Sequence, residues 1–225
     1  MRVLIACEYS GRMRRAFAAR GHDVVSCDFL PSEDNSPDHV QGDVFELIKP
    51  GVWDLMIAHP PCTYLANSGV RWLREKSQRD TWRTFGPTKC PVPVNEARWS
   101  SMLDAAEFFA FLLQAPIPKV AVENPVMHCF AREAIARRMG LDEMPPTHFV
   151  QPWWFGDPAF KATGFTLKGL APLEKPATAL VPPKKGTQEH KDWSVIHMAS
   201  PGKDRWKERS RTFPGIAQAA AEAWG

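Results

Sequence analysis

Trp53-Asp54-Leu55-Met56-Ile57-Ala58 runs straight into His59-Pro60-Pro61-Cys62. The apolar run reads as a buried strand, and it delivers a cysteine into a loop stiffened by two prolines. Each proline fixes its own φ and restricts the residue before it, so the thiol is presented in a narrow range of directions. About 60 residues later a second apolar run, Lys119-Val120-Ala121-Val122, ends in Glu123-Asn124-Pro125. A rigid Cys loop and a Glu-Asn-Pro loop, each closing a strand, point to a nucleophile and an acid converging on one pocket.

Working outward from these strands, the same texture recurs. Residues 2–6 form a short apolar run followed by the turn Glu8-Tyr9-Ser10-Gly11, and Met13, Ala16, Phe17 and Arg20 then repeat at helical spacing up to Gly21. Residues 23–27 predict a second strand, closed by Asp28, and Gly42-Asp43 precedes a weak helical piece over 44–48. The clearest helix spans 95–114, with Trp99, Met102, Leu103, Ala106, Phe109 and Leu113 on one face, and a further helix is predicted over 130–139. Strands alternating with helices of this length predict an α/β fold with a parallel, doubly wound sheet, whose ligands sit beyond the carboxyl ends of the strands. Past Gly140 prolines crowd in, which predicts irregular structure carrying one short hairpin with a strand over 164–167, and Pro214 opens a last helix in the first-turn position that suits proline.

Composition bounds the function classes. A chain of 225 residues that is 44% hydrophobic can bury a full core as one domain with a modest appendage. No apolar stretch is long enough to span a bilayer, and the amino-terminal residues enter a strand without a signal-peptide pattern. The five cysteines form no CxxC pair, which argues against a zinc module or a disulfide framework, predicts no metal and makes a reducing cytoplasm the expected setting. Charge is uneven: the net value is +3, yet segments 71–98 and 184–211 each carry +4. Two basic segments on an acidic body favour a polyanion such as nucleic acid or a nucleotide, although solvated loops would give the same pattern. Arg71-Trp72, Trp82-Arg83 and Arg98-Trp99, and the segment holding Lys191, Trp193, Arg205 and Trp206, place aromatic faces beside cations, as stacked bases and phosphates require; amphipathic packing alone would do so too. His59 and His128 flank the two key loops and are expected to play supporting or structural roles.

Together the Pro-Pro-Cys and Glu-Asn loops resemble those of the cytosine-5 DNA methyltransferase family, in the same order and at similar separation on a Rossmann-like sheet. The resemblance covers most of the chain and implies S-adenosylmethionine as cofactor. It places Glu8, Tyr9, Ser10 and Gly11 at the cofactor turn, Asp28 at the ribose, Asp43 near the adenine and Pro60 beside them. It implies Cys62 as nucleophile, Glu123 as the acid, with a raised pKa, at ring N3, and Asn124 as a brace for the loop. Residues 155–163 look like a worn version of the family's Tyr-Gly-x-Pro-Gln-x-Arg-x-Arg motif, with Lys161 for the first arginine and Thr163 for the second. Pro61, Ser68, Arg71, Trp72, Arg83, Thr163, Lys191 and Arg205 fall on the substrate side.

The departures are specific. Gly11 is what remains of a glycine-rich loop, and Glu8 and Tyr9 are bulky where close backbone approach calls for small residues. Only about 40 residues stand where the family has a larger recognition domain, as a small phage-type variant would. The expected division is a catalytic domain over 1–170, a reduced basic region over 171–211 and a carboxyl-terminal helix over 212–225 that packs back. The resemblance therefore implies methyl transfer to carbon 5 of cytosine in duplex or single-stranded DNA. Two alternatives stay open: a free deoxycytidine nucleotide as substrate, and an inactive nucleic-acid-binding relative.

Overall fold

The computed structural model describes residues 1–74, 95–194 and 210–225. Arg83 and Arg205, with Trp82, Cys90 and Trp206, lie outside the described residues. Strands β1 (Arg2–Ala6), β2 (Asp23–Asp28), β3 (His39–Gln41), β4 (Leu55–Ala58), β5 (Lys119–Asn124), β6 (Thr147–Val150) and β7 (Thr163–Lys168) form one sheet in the order β3-β2-β1-β4-β5-β7-β6. The first five are parallel, and β7 runs antiparallel to both β5 and β6. This is the α/β architecture that the alternating pattern predicts, Rossmann-like as the resemblance implies, but β7 and β6 make one edge of the expected parallel sheet antiparallel. The chain leaves β1 toward β2 and returns on its other side as β4, so the switch point lies between the carboxyl ends of β1 and β4.

Alternation along the central strands divides the core in two. Leu4, Ala6, Met56, Ala58, Val120 and Val122 face helices α2 (Glu96–Leu113) and α3 (Cys129–Met139). Val3, Ile5, Leu55, Ile57 and Ala121 face α1 (Arg12–Ala18) and, beyond the six-residue α4 (Gln188–Trp193), the last helix α5 (Pro214–Trp224). Both faces of β4 are buried, which is why its sequence is apolar without alternation.

The helix ends explain several polar residues. Asn95 accepts the Arg98 amide at 3.0 Å to open α2, and His128 Nδ1 accepts the Ala131 amide at 3.1 Å to open α3. Helix α5 is docked by close contact: a Cβ on Gly215 would lie 2.1 Å from the Phe155 carbonyl oxygen, and the Gly215 amide donates to Asp157 Oδ2 at 2.8 Å. At its far end Trp224 stands edge-on to Phe165 and donates to the Ala171 carbonyl at 2.9 Å.

Strand β3 and helix α4 were not anticipated, each being short with little periodicity, and β6 is the antiparallel partner of the strand expected in the hairpin past Gly140. Trp193 is corrected here. It does not offer a face to bases: it is buried against Phe160, with ring centroids 5.4 Å apart, and fastens α4 to the body. No helix among the described residues is long and apolar enough to cross a membrane.

Candidate active site

Register builds the site. Ala58 stands opposite Val122 in the β4–β5 pair, so the residues that follow, His59 just past β4 and Glu123 near the end of β5, come side by side. Their side chains meet, His59 Nδ1 to Glu123 Oε2. Both turn toward the α1/α5 face, because Ala58 and Val122 turn toward the other. Lys161 brings Nζ to 3.9 Å from Glu123 Oε1 and donates to the Arg211 carbonyl at 3.2 Å.

These contacts correct the expected charge state of Glu123. Burial pushes the carboxyl up, but the Lys161 ammonium and the His59 hydrogen bond outweigh it and hold the group below the usual carboxylate range. Burial pushes His59 down, yet the Glu123 hydrogen bond and charge, aided by Glu8, raise it above its ordinary value. A carboxyl expected to be raised by burial is instead held low by its partners, and the imidazole bonded to it is held high. His59 is the residue that sequence reasoning under-read. The available signal was positional: it follows the last residue of β4 directly, as Glu123 follows Val122 near the end of β5.

Cys62 is exposed, whereas Cys27 is buried. Burial first, then Asp28, pushes the Cys27 thiol up to about 11, and Cys7 is pushed up further by the same causes, so both remain protonated. The Cys62 loop is tied to the segment that follows Glu123. The Cys62 carbonyl accepts the Leu65 and Ala66 amides at 3.1 and 3.0 Å, Asn67 N donates to Val126 O at 2.8 Å, and His128 N donates to Leu65 O at 3.2 Å. Arg98 stacks over Tyr64 and donates to the Thr63 carbonyl at 3.1 Å, and His128 Nε2 donates to the Tyr64 carbonyl at 3.0 Å. Asn124 is buried; its side chain donates to the Pro125 carbonyl at 3.0 Å and accepts from Thr166 Oγ1 at 3.0 Å, holding the turn after Glu123.

A cavity of about 600 Å³ opens at the carboxyl ends of β1 and β2, on the α2 face. Asp28 and Asp43 lie among Phe29, Phe45, Phe108 and Phe111, and Pro61 brings the Cys62 loop to its wall. Burial raises the Asp28 carboxyl above its ordinary value. Asp104 and Glu107 of α2 also reach the lining, and aromatic walls with carboxylate acceptors fit an adenosine group, with volume left for an attached amino-acid chain. Pro60 is buried next to this wall.

The turn at residues 8–11 is arranged differently from the reading of it as a cofactor loop. Glu8 is 4% exposed and its carboxylate accepts the Met13 and Arg14 amides at 2.7 and 3.2 Å and the Ser10 hydroxyl at 3.1 Å. It fills the amino end of α1 with the chain's own anion. Gly11 has φ +66, a left-handed backbone that favours glycine whatever the turn binds. Glu8, Tyr9 and Ser10 instead line a small second cavity with Cys7, His59 and Ser210 to Thr212.

The remaining substrate-side residues are dispersed. Ser68, Arg71 and Trp72 are exposed beyond the Cys62 loop, Arg71 stacking on Trp72 with 5.0 Å to the ring centroid. Thr163 is buried and donates its hydroxyl to the Lys161 carbonyl at 3.2 Å, and Lys191 is exposed on α4.

No family model and no curated protein matches this chain. Solved structures similar to it include a protein described as a DNA modification methyltransferase encoded within an E. coli prophage, at TM-score 0.44 and 16% identity over 74% of this chain and 46% of the other. Others are the Entamoeba histolytica methyltransferase EhMeth, at TM-score 0.45 and 13% identity over 80% and 56%, and a triple mutant of Spodoptera frugiperda DNMT2, at 0.39 and 14% over 75% and 50%. The chain spans about half the length of these structures. Such remote likeness carries no weight for substrate or chemistry, which the site itself must decide.

Proposed function

We propose that the chain is an S-adenosylmethionine-dependent methyltransferase that acts on carbon 5 of cytosine in DNA. The observation that carries this reading is the β4–β5 register, which brings an exposed thiol loop and a buried Glu-Asn turn to one end of the sheet, beside an aromatic cavity with acidic groups in its lining. When bound, S-adenosylmethionine supplies an electrophilic methyl group. Asp28 and Asp43 would accept hydrogen bonds from its ribose and adenine, and Phe29, Phe45, Phe108 and Phe111 would exclude water from the ring.

Carbon 5 of cytosine is a poor nucleophile. Addition of the Cys62 thiolate to C6 makes the ring an enamine, nucleophilic at C5. The Glu123 carboxylate would accept from the N3 edge once that nitrogen is protonated, Lys161 holds the carboxylate from its other oxygen, and Asn124 fixes the turn. After methyl transfer, loss of the C5 proton and elimination of the Cys62 thiolate free the product. In duplex DNA the base must first leave the stack, at a cost of a few kcal/mol; exposed Arg71 and Trp72 stand where a displaced strand would be met.

The test is to incubate the protein and Cys62→Ala with methyl-labelled S-adenosylmethionine and, separately, duplex DNA, single-stranded DNA and dCMP. Products are then digested to nucleosides and analysed by mass spectrometry. Label on cytosine C5 in DNA that is absent with Cys62→Ala is expected. Label on N4, or undiminished transfer by Cys62→Ala, overturns the mechanism. Label confined to dCMP moves the substrate to free nucleotides, and no transfer to any of the three leaves an inactive binding module.

A further inference from the structure

The pair formed by His59 and Glu123 leaves one question of proton supply. Stabilising the ring after thiolate addition requires a proton at N3, yet Glu123 has the Lys161 ammonium near one carboxyl oxygen and the His59 ring on the other, and a cation that close disfavours a protonated carboxyl. The proton is therefore held on the histidine side of the pair. His59 has an 8% exposed side chain, and its Nε2 has no hydrogen-bond partner among the described residues. The ring is thus anchored through Nδ1 alone, and beside it lies the small cavity shared with Glu8, Tyr9 and Arg211. The charged and titratable groups around it come from four other elements: Glu123 at the end of β5, Glu8 after β1, Lys161 before β7 and Arg211 before α5, with Cys7 across the cavity and Asp28 farther off.

We propose that His59 is a positioning residue for Glu123: the two share one proton and deliver it to N3 of the base when Cys62 adds to C6. This rests on the cytosine-5 reading above. As the Sγ–C6 bond forms, the C5=C6 electron pair moves through C4 to N3. The N3–H bond forms as the Nδ1–H bond of His59 breaks, the proton passing by way of the Glu123 carboxyl. His59 ends as neutral imidazole and Glu123 as a carboxylate accepting from N3–H. Elimination of Cys62 runs the transfer backward, so the pair is restored without an outside acid.

Two measurements test this. Heteronuclear NMR of the histidine rings, with His59→Gln identifying the resonance, needs no substrate. His59 should still be imidazolium at pH 6.5, its ordinary midpoint, and should titrate below 6.5 in Glu123→Gln. A ring already neutral at pH 6.5 in the wild type, or one whose titration is unmoved in Glu123→Gln, overturns the shared proton. In methyl transfer, His59→Gln should lower kcat on the order of 100-fold with little change in KM and should shift the alkaline limb of the pH profile. Unchanged kcat and profile in a folded His59→Gln overturn the role in the reaction. A wild-type protein that transfers no methyl group fails the cytosine-5 reading itself; the ring titration then decides alone whether the pair holds a proton.

Discussion

His59 and Glu123 each stand one residue beyond the registered pair Ala58 and Val122, and they are joined Nδ1 to Oε2. Glu123 is held low, so its contribution to stability is present above its ordinary 4.5 and is lost as pH falls through the folded value. His59 is held high, so its contribution is present below 6.5 and is lost as pH rises through the folded value. A double-mutant cycle of His59→Gln and Glu123→Gln should give a coupling on the order of 2 kcal/mol between pH 5 and 6, shrinking outside the two folded values. Urea denaturation at several pH values measures it, and a coupling near zero at pH 5.5 would contradict the pairing.

The aromatic cavity makes a separate prediction about binding. Phe45 is 49% exposed and packs its ring on Phe111 and Phe108 at centroid distances of 4.4 and 5.6 Å. Phe45→Ala should leave thermal stability nearly unchanged and weaken S-adenosylmethionine about 10-fold, close to 1.4 kcal/mol. Isothermal calorimetry reads this directly. Equal affinity in wild type and variant would place the cofactor elsewhere.

Gly164 offers a test of the Glu-Asn turn from outside it. A Cβ there would lie 2.8 Å from both Nδ2 and the carbonyl oxygen of Asn124 and 2.6 Å from Thr147 Cγ2. Gly164→Ala should cost about 1–3 kcal/mol, as overpacking does. Because the displaced group is Asn124, kcat should fall more than KM rises. A stability loss with unaltered kinetics would show that the turn absorbs the shift harmlessly.

His128 should give the fold an acid-sensitive cap. It is 2% exposed, and burial holds its pKa below the ordinary 6.5 despite the hydrogen bond to Tyr64. Neutral Nδ1 accepts at the start of α3 while Nε2–H donates to the Cys62 loop. Its contribution is therefore full above pH 6.5 and lost as pH falls from there through the folded value. His128→Asn should destabilise by about 1 kcal/mol at pH 7.5, with a smaller difference from wild type at pH 5.5. A difference that does not depend on pH would mean that the ring does not titrate with unfolding.

The amino-acid sequence by itself determined the local pieces. The unbroken apolar run before His59, the helical spacing through Met102, Ala106 and Phe109, and the proline at 214 each encode an element through its own period or backbone restriction. The two loops that close β4 and β5 were legible for the same reason, being punctuated by proline. Tertiary structure alone decided what those loops meet. His59 and Glu123 lie 64 residues apart, and their contact depends on which strands are neighbours and in what register. That contact and Lys161 set the charge of the carboxyl, because the sign of a pKa shift is the balance of burial against partners that no local stretch contains. Glu8 follows the same logic: its sequence position resembled a cofactor turn, but folding turned its carboxylate onto the amides of α1. Chain order supplied the candidate groups, and packing decided which of them meet.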